Sequence, residues 1–124
     1  MKEVIAIIRM HKVGQTKNAL VEAGFCRLTA IKVMGRGKML KDLALVDKVN
    51  EEARDTLLES LLKGGRLIPK RMLTIYVRDE DVPKVVDTII SINKEGRIGD
   101  GKIFVLPVLD VIRVRTGERG EEAI

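Results

Sequence analysis

The sequence has one cysteine, Cys26, one histidine, His11, no tryptophan and an aromatic share of only 2%. A lone cysteine excludes an internal disulfide framework, and one Cys with one His leaves too few soft ligands for a zinc site. The scarcity of aromatics forces an aliphatic core and leaves little on which nucleic-acid bases could stack. No apolar run approaches the ~18–20 residues that a membrane helix needs. The chain opens on a strand-like segment rather than a leader, so a cytoplasmic protein without signal peptide, anchor or membrane insertion is expected.

What is present in quantity is charge. Charged residues make up 33% of the chain, apolar residues 45%, and the net charge is +5 with a pI near 9.5. The sign favours anionic partners. Acids and bases are interleaved, however, which marks a solvated surface rather than a nucleic-acid track. A length of 124 residues suits a single domain over 1–124.

Residues 2–9 (KEVIAIIR) are a short, β-branched, nearly all-apolar run, as in a buried central strand. A helix is predicted over 12–23, stopped by Gly24, and a strand over 26–34. Residues 72–77 (MLTIYV) read as a third strand. Val82, Val85, Val86, Ile89 and Ile90 then fall at helical spacing, with Pro83 tolerated in the first turn. A last strand is predicted from Ile103 to about Val114, with Pro107 demanding an edge or a bulge. The order β-α-β, long loop, β-α-β is that of an α+β, ferredoxin-like split βαβ fold. Both faces of its first strand are apolar, so one face is expected to meet other subunits.

The segment 38–70 is long for a loop in so small a domain. Within it Asn50 can cap a helix over 51–63 (EEARDTLLESLLK), with Gly64-Gly65 as the stop and Leu57, Leu58, Leu61 and Leu62 as its apolar stripe. That stripe could pack on the parent domain or dock a partner.

The densest chemical signal is Gly96-Arg97-Ile98-Gly99-Asp100-Gly101-Lys102. Closely spaced glycines let backbone N–H groups converge on an anion, and the lysine adds a point charge. The string fits G-x-x-x-x-G-K, but Ile103 stands where a magnesium-binding hydroxyl is required, and the segment leads from helix to strand, the reverse of a P-loop. A phosphate cradle of another kind and a plain glycine turn both remain open. Gly35-Arg36-Gly37-Lys38 is a second glycine–basic cluster at the entry to the long loop. Arg113 and Arg115, at strand spacing, would share one face, where two guanidiniums either meet solvent or share an anion. His11 lacks a nucleophile partner, Cys26 reads as a small core residue and the acids are scattered, so no catalytic residue and no enzyme activity are expected.

Taken in order, these runs resemble the PII signal-transduction (nitrogen regulatory) family. The resemblance covers nearly the whole chain and is most specific at 96–105 (GRIGDGKIFV) and 111–118 (VIRVRTGE). The long loop and the TGERGEEAI ending look like the branch that accompanies nitrogenase genes in archaea and anaerobes. The resemblance implies a homotrimer with ATP or ADP in clefts between neighbours. Thr29, Gly37, Lys38 and Tyr76 would line the adenosine side, and Gly99, Asp100, Gly101 and Lys102 would hold the phosphates. Arg113 and Arg115 would reach in from the adjacent subunit.

It also implies that 38–70 is an effector arm, with 2-oxoglutarate at its base beside Mg²⁺, Met39, Leu40 and Lys70. Met39 departs from the family's usual glutamine and is a soft, poor magnesium ligand, so weak 2-oxoglutarate binding is expected. The arm contains no tyrosine, which argues against uridylylation there. The implied partner is a nitrogen-metabolism protein, nitrogenase or its regulators, with an ammonium transporter as the second choice. An RNA-binding ferredoxin-like domain is the alternative of a different class, disfavoured by a chain whose aromatics are Phe25, Tyr76 and Phe104.

Overall fold

A computed structural model of the chain describes residues 1–37 and 67–124. The helix expected over 51–63, most of the long loop, and Lys38, Met39 and Leu40 lie outside the described residues.

Strand β1 (Lys2–Arg9) turns through Met10–Lys12 into helix α1 (Val13–Glu22). Strands β2 (Thr29–Gly35) and β3 (Ile68–Val77) flank the long loop. Helix α2 (Val82–Asn93) follows, then β4 (Lys102–Pro107) and a short turn at Gly120–Ala123. The strands form an antiparallel sheet in the order β2-β3-β1-β4. This is the ferredoxin-like α+β arrangement expected from the element order.

Alternation along β1 sorts its residues cleanly: Val4, Ala6 and Ile8 are buried, and the residues between them are partly covered. Register places Leu73, Ile75 and Val77 of β3 on the same side. Leu20 from α1 and Val85 and Ile89 from α2 close over them to complete an aliphatic core. The helix stop at Gly24 is a Schellman motif. Its φ is +98°, Gly24 N–H donates to Val21 O at 3.0 Å, and Phe25 N–H donates to Leu20 O at 2.8 Å.

The structure departs from the periodic reading in several elements. Strand β2 begins at Thr29, so that Cys26, expected in the core, is exposed, and β3 reaches back to Ile68. In α2 the apolar stripe ends on buried Asn93, while Ile90 is half-exposed. The strand expected to reach Val114 stops at Pro107. Proline has no N–H to extend a ladder, and beyond it local side chains take over the backbone groups. Asp110 Oδ1 accepts from the N–H of Val111 and of Gly120, and Ile112 bridges back to Arg119. Residues 108–124 therefore form a compact hairpin-like segment, joined to the chain start by Val108 N–H donating to Met1 O at 3.1 Å.

Leu73 sits at the centre of the core with no exposed surface. Leu73→Ala is expected to lower unfolding stability by ~2–5 kcal/mol, read as a lower urea midpoint. Ile31→Ala, on a half-exposed position of β2, is expected to cost less than ~1.5 kcal/mol in the isolated subunit.

Candidate functional site

The glycine-rich segment joins the end of α2 at Asn93 to the start of β4 at Lys102. Its backbone N–H groups do converge on an anion, and that anion is Asp100 of the same loop. Asp100 Oδ2 accepts from the N–H of Glu95 at 2.8 Å, Gly96 at 2.9 Å and Arg97 at 3.3 Å. Asp100 Oδ1 accepts from Arg9 Nη1 at 2.9 Å. The N–H of Glu95, then the Arg9 guanidinium and the neighbouring amides, pull the carboxyl down to about 2. With both oxygens engaged, Asp100 holds the loop in shape, a different task from the phosphate contact expected of it.

The glycines are required by this shape. Gly96, Gly99 and Gly101 all have positive φ. A Cβ on Gly101 would lie 2.2 Å from the carbonyl oxygen of Ile7, so β1 and the loop touch backbone to backbone there.

Beside Gly99 stand two cations. Arg9 and Lys70 are register partners on β1 and β3. Lys70 Nζ donates to Gly99 O at 3.3 Å, and Arg9 Nη2 donates to Ile98 O at 3.2 Å. Partial burial, reinforced by the charge of Arg9, lowers the Lys70 pKa. Arg9 also lies 3.5 Å from Glu95, which Lys12 approaches at 3.3 Å. One end of the sheet thus gathers Arg9, Lys70, Gly99, Asp100, Gly101 and Lys102 into a glycine cradle with an excess of positive charge.

The arginine pair lies elsewhere. Arg113 Nη1 meets Glu118 Oε2 at 3.1 Å, and its Nη2 donates to Glu122 O at 3.0 Å. Arg115 is exposed in the turn that follows, where Thr116 and Gly117 N–H groups both donate to Arg113 O. The two arginines therefore do not share a strand face as their spacing suggested, because the chain folds back on itself after Pro107. Their segment adjoins Met1 and hence the opposite end of β1 from Arg9. Seven strand steps separate those ends by roughly 23 Å.

A family model for nitrogen regulatory protein P-II matches residues 1–118. The chain belongs to that family. Among curated relatives, the "Nitrogen fixation nifHD region glnB-like protein 2" of Methanococcus maripaludis is 50% identical over 124 residues, covering all of both chains. The similarly named protein of Methanobacterium ivanovii is 48% identical, covering 100% of this chain and 99% of its own. Among solved structures, Arabidopsis thaliana PII bound to citrate matches with a TM-score of 0.72 and 36% identity, over 98% of this chain and 87% of that one.

Within one P-II chain the described residues expected at the nucleotide lie apart. Gly99 to Lys102 are together, beside Lys70 of the expected 2-oxoglutarate site. Thr29 and Tyr76 lie further along the outward face of the sheet, Thr29 opposite Thr74 and Tyr76 opposite Glu3. Six strand steps from Lys70 to Tyr76 amount to about 20 Å. Tyr76 OH donates to Glu3 Oε1 at 3.3 Å, and desolvation together with that carboxylate raises its pKa. Gly37 lies just past the Gly35–Ile68 pair at the loop entry, and Arg113 and Arg115 form a separate group. Arg9 was missed in the sequence, although its place at the end of an alternating strand could have flagged a charge kept for the rim.

Because the folded-state pKa of Asp100 lies below the usual carboxylate value, its interactions favour folding above pH ~4. That contribution is lost as pH falls through about 2. Urea midpoints measured between pH 6 and 2 are expected to fall less steeply at the acid end in Asp100→Asn than in the parent. Identical acid profiles would remove Asp100 from its role as the loop's internal anion.

Proposed function

We propose that this P-II chain is a non-catalytic regulator that assembles as a homotrimer, binds ATP or ADP, and reports to nitrogen metabolism through its 38–70 arm. The observation that carries the proposal is the glycine cradle at Gly99–Lys102 beside Lys70 and Arg9. It offers positive charge beside a backbone loop held in shape at one rim of the sheet. Phosphate fits the cations gathered there, Arg9 and Lys70 beside Gly99 and Lys102 at the start of β4.

Assembly is supported by apolar surface that one subunit leaves uncovered. Leu109 and Val114 are each 99% exposed, and Ile31, Tyr76 and Phe104 show large areas on the outward sheet face. Arg113 and Arg115 sit at the far end of the subunit from the cradle, so they join a phosphate site when supplied by a neighbour. In that assembly Thr29, Gly37, Lys38 and Tyr76 line the nucleoside side.

Nitrogen fixation is the process we favour, since curated relatives matched over the whole chain carry names from that gene region. Nitrogenase or its regulatory apparatus is then the target, and an ammonium transporter is the second candidate. A cytoplasmic location accords with both, and no described helix is long and apolar enough to cross a membrane. The carboxylate effector 2-oxoglutarate, with Mg²⁺, would sit near Met39, Leu40 and Lys70. The Arabidopsis relative was solved bound to citrate, itself a carboxylate. The exposed Tyr76 and Phe104 could instead stack RNA bases, so a short RNA belongs in the same titrations.

Calorimetry is expected to show ATP and ADP binding with no appreciable turnover and no heat with RNA. Lys102→Ala and Arg113→Ala are each expected to weaken ATP by about tenfold or more, the loss of one charged phosphate contact. Parental affinity in both variants would refute the shared phosphate site. Sedimentation of the variants as trimers separates a lost contact from lost assembly.

Met39→Gln supplies a hard oxygen where the chain has sulfur. In the presence of Mg²⁺ and ATP it is expected to tighten 2-oxoglutarate binding, measured by the same method. No change would assign the effector to another ligand set.

A further inference from the structure

The turn that carries Arg113 is closed by its main chain alone. Arg113 N–H donates to Glu118 O at 2.9 Å, and Gly117 N–H donates to Arg113 O at 2.7 Å. Gly117 supplies the φ of +73° that the reversal needs, and Ile112 bridges to Arg119 beyond it. The carboxylate of Glu118 takes no part in this closure. Its one hydrogen bond among the described residues is to the Arg113 guanidinium, where Nη1 donates to Oε2 at 3.1 Å.

A second clamp acts on the other terminal nitrogen. Arg113 Nη2 donates at 3.0 Å to the carbonyl of Glu122, in the short turn that ends on buried Ala123. A guanidinium held at both Nη atoms cannot swing, yet only two of its five N–H groups are spent. The others remain for an anion. Arg115, two residues on, is exposed and carries no such restraint among the described residues. One arginine is thus fixed before any ligand arrives, and the other must be ordered by it.

We infer that Glu118 is a positioning residue for nucleotide binding, holding Arg113 in the orientation from which it meets a phosphate. This rests on the reading of Arg113 as a phosphate contact supplied to a neighbouring subunit. Without Glu118, the phosphate has to order a long, rotamer-rich side chain, at a cost in affinity. The carboxylate also offsets part of the charge that Arg113 offers. Both side chains are partly solvated, 27% and 41% exposed, and water weakens that opposing effect, so orientation outweighs it.

Two measurements on the full-length protein test this. The first needs no ligand: nitrogen-15 NMR of the arginine Nε–H groups reports how freely each side chain moves. In the parent, Arg113 is expected to be as rigid as the backbone and Arg115 mobile. Glu118→Ala is expected to bring Arg113 to the level of Arg115. The second is ATP affinity by calorimetry. Glu118→Ala is expected to weaken ATP about fivefold, the cost of ordering one side chain. Glu118→Gln keeps an acceptor oxygen and is expected to stay within about twofold of the parent, which separates lost orientation from a misfolded segment. In an Arg113→Ala background, Glu118→Ala is expected to cost nothing further. Tighter ATP binding by Glu118→Ala would make the carboxylate a competitor of phosphate and overturns the inference. So does a mobile Arg113 in the parent, parental affinity in Glu118→Ala, or a full loss that persists in the Arg113→Ala background. Parental affinity in Arg113→Ala alone instead removes Arg113 from the phosphate site, and the inference falls with that reading.

Discussion

Strand β1 is hydrogen-bonded on both edges, to β3 and to β4, and every other part of the subunit is positioned through it. Its helix-facing residues, Val4, Ala6 and Ile8, have essentially no exposed surface, so both helices are fixed against a single rail. Its end supplies Arg9 to the glycine loop, its Ile7 carbonyl sets how closely Gly101 can approach, and its start anchors the C-terminal segment at Val108. A one-residue slip of this strand would exchange its buried and outward sets and dismantle the core and the cradle together.

The loop at the end of that rail uses an internal anion where a ligand site would ordinarily leave a gap. Asp100 satisfies the amides of residues 95–97 and neutralises part of Arg9. What remains available around Gly99 and Lys102 is preorganised, because the backbone that presents it is held by charge-assisted hydrogen bonds. Preorganisation of this kind reduces the ordering that an incoming anion must impose.

Much of the architecture was legible in the chain. The apolar, β-branched run of residues 2–9, the Gly24 stop and the stripe of α2 pointed to the element order and, through it, to the ferredoxin-like arrangement. The runs 96–105 and 111–118 marked the P-II family. Legibility failed where side chains compete with regular structure. The periodicity counted Ile90 as buried, yet the packed face ends on Asn93, whose NH₂ group bonds Thr16 and Ile89 O at a position that apolar counting ignores. The arginines at 113 and 115 looked like a strand pair, but Asp110 takes up the backbone N–H groups of Val111 and Gly120, and Glu118 holds the Arg113 guanidinium within the folded-back segment.

The sequence by itself determined the aliphatic core, the class of fold and the places where glycine is needed, because these follow from local periodicity and from steric rules acting within a few residues. Only the tertiary structure decided what the glycine loop closes on, which cation stands beside it, and which polar side chains meet between the helices. Arg9 and Asp100 are 91 residues apart in the chain, and Thr16 and Asn93 are 77 apart. Contacts of that separation are set by sheet register and helix packing, and no local pattern encodes which two polar groups the fold will bring face to face.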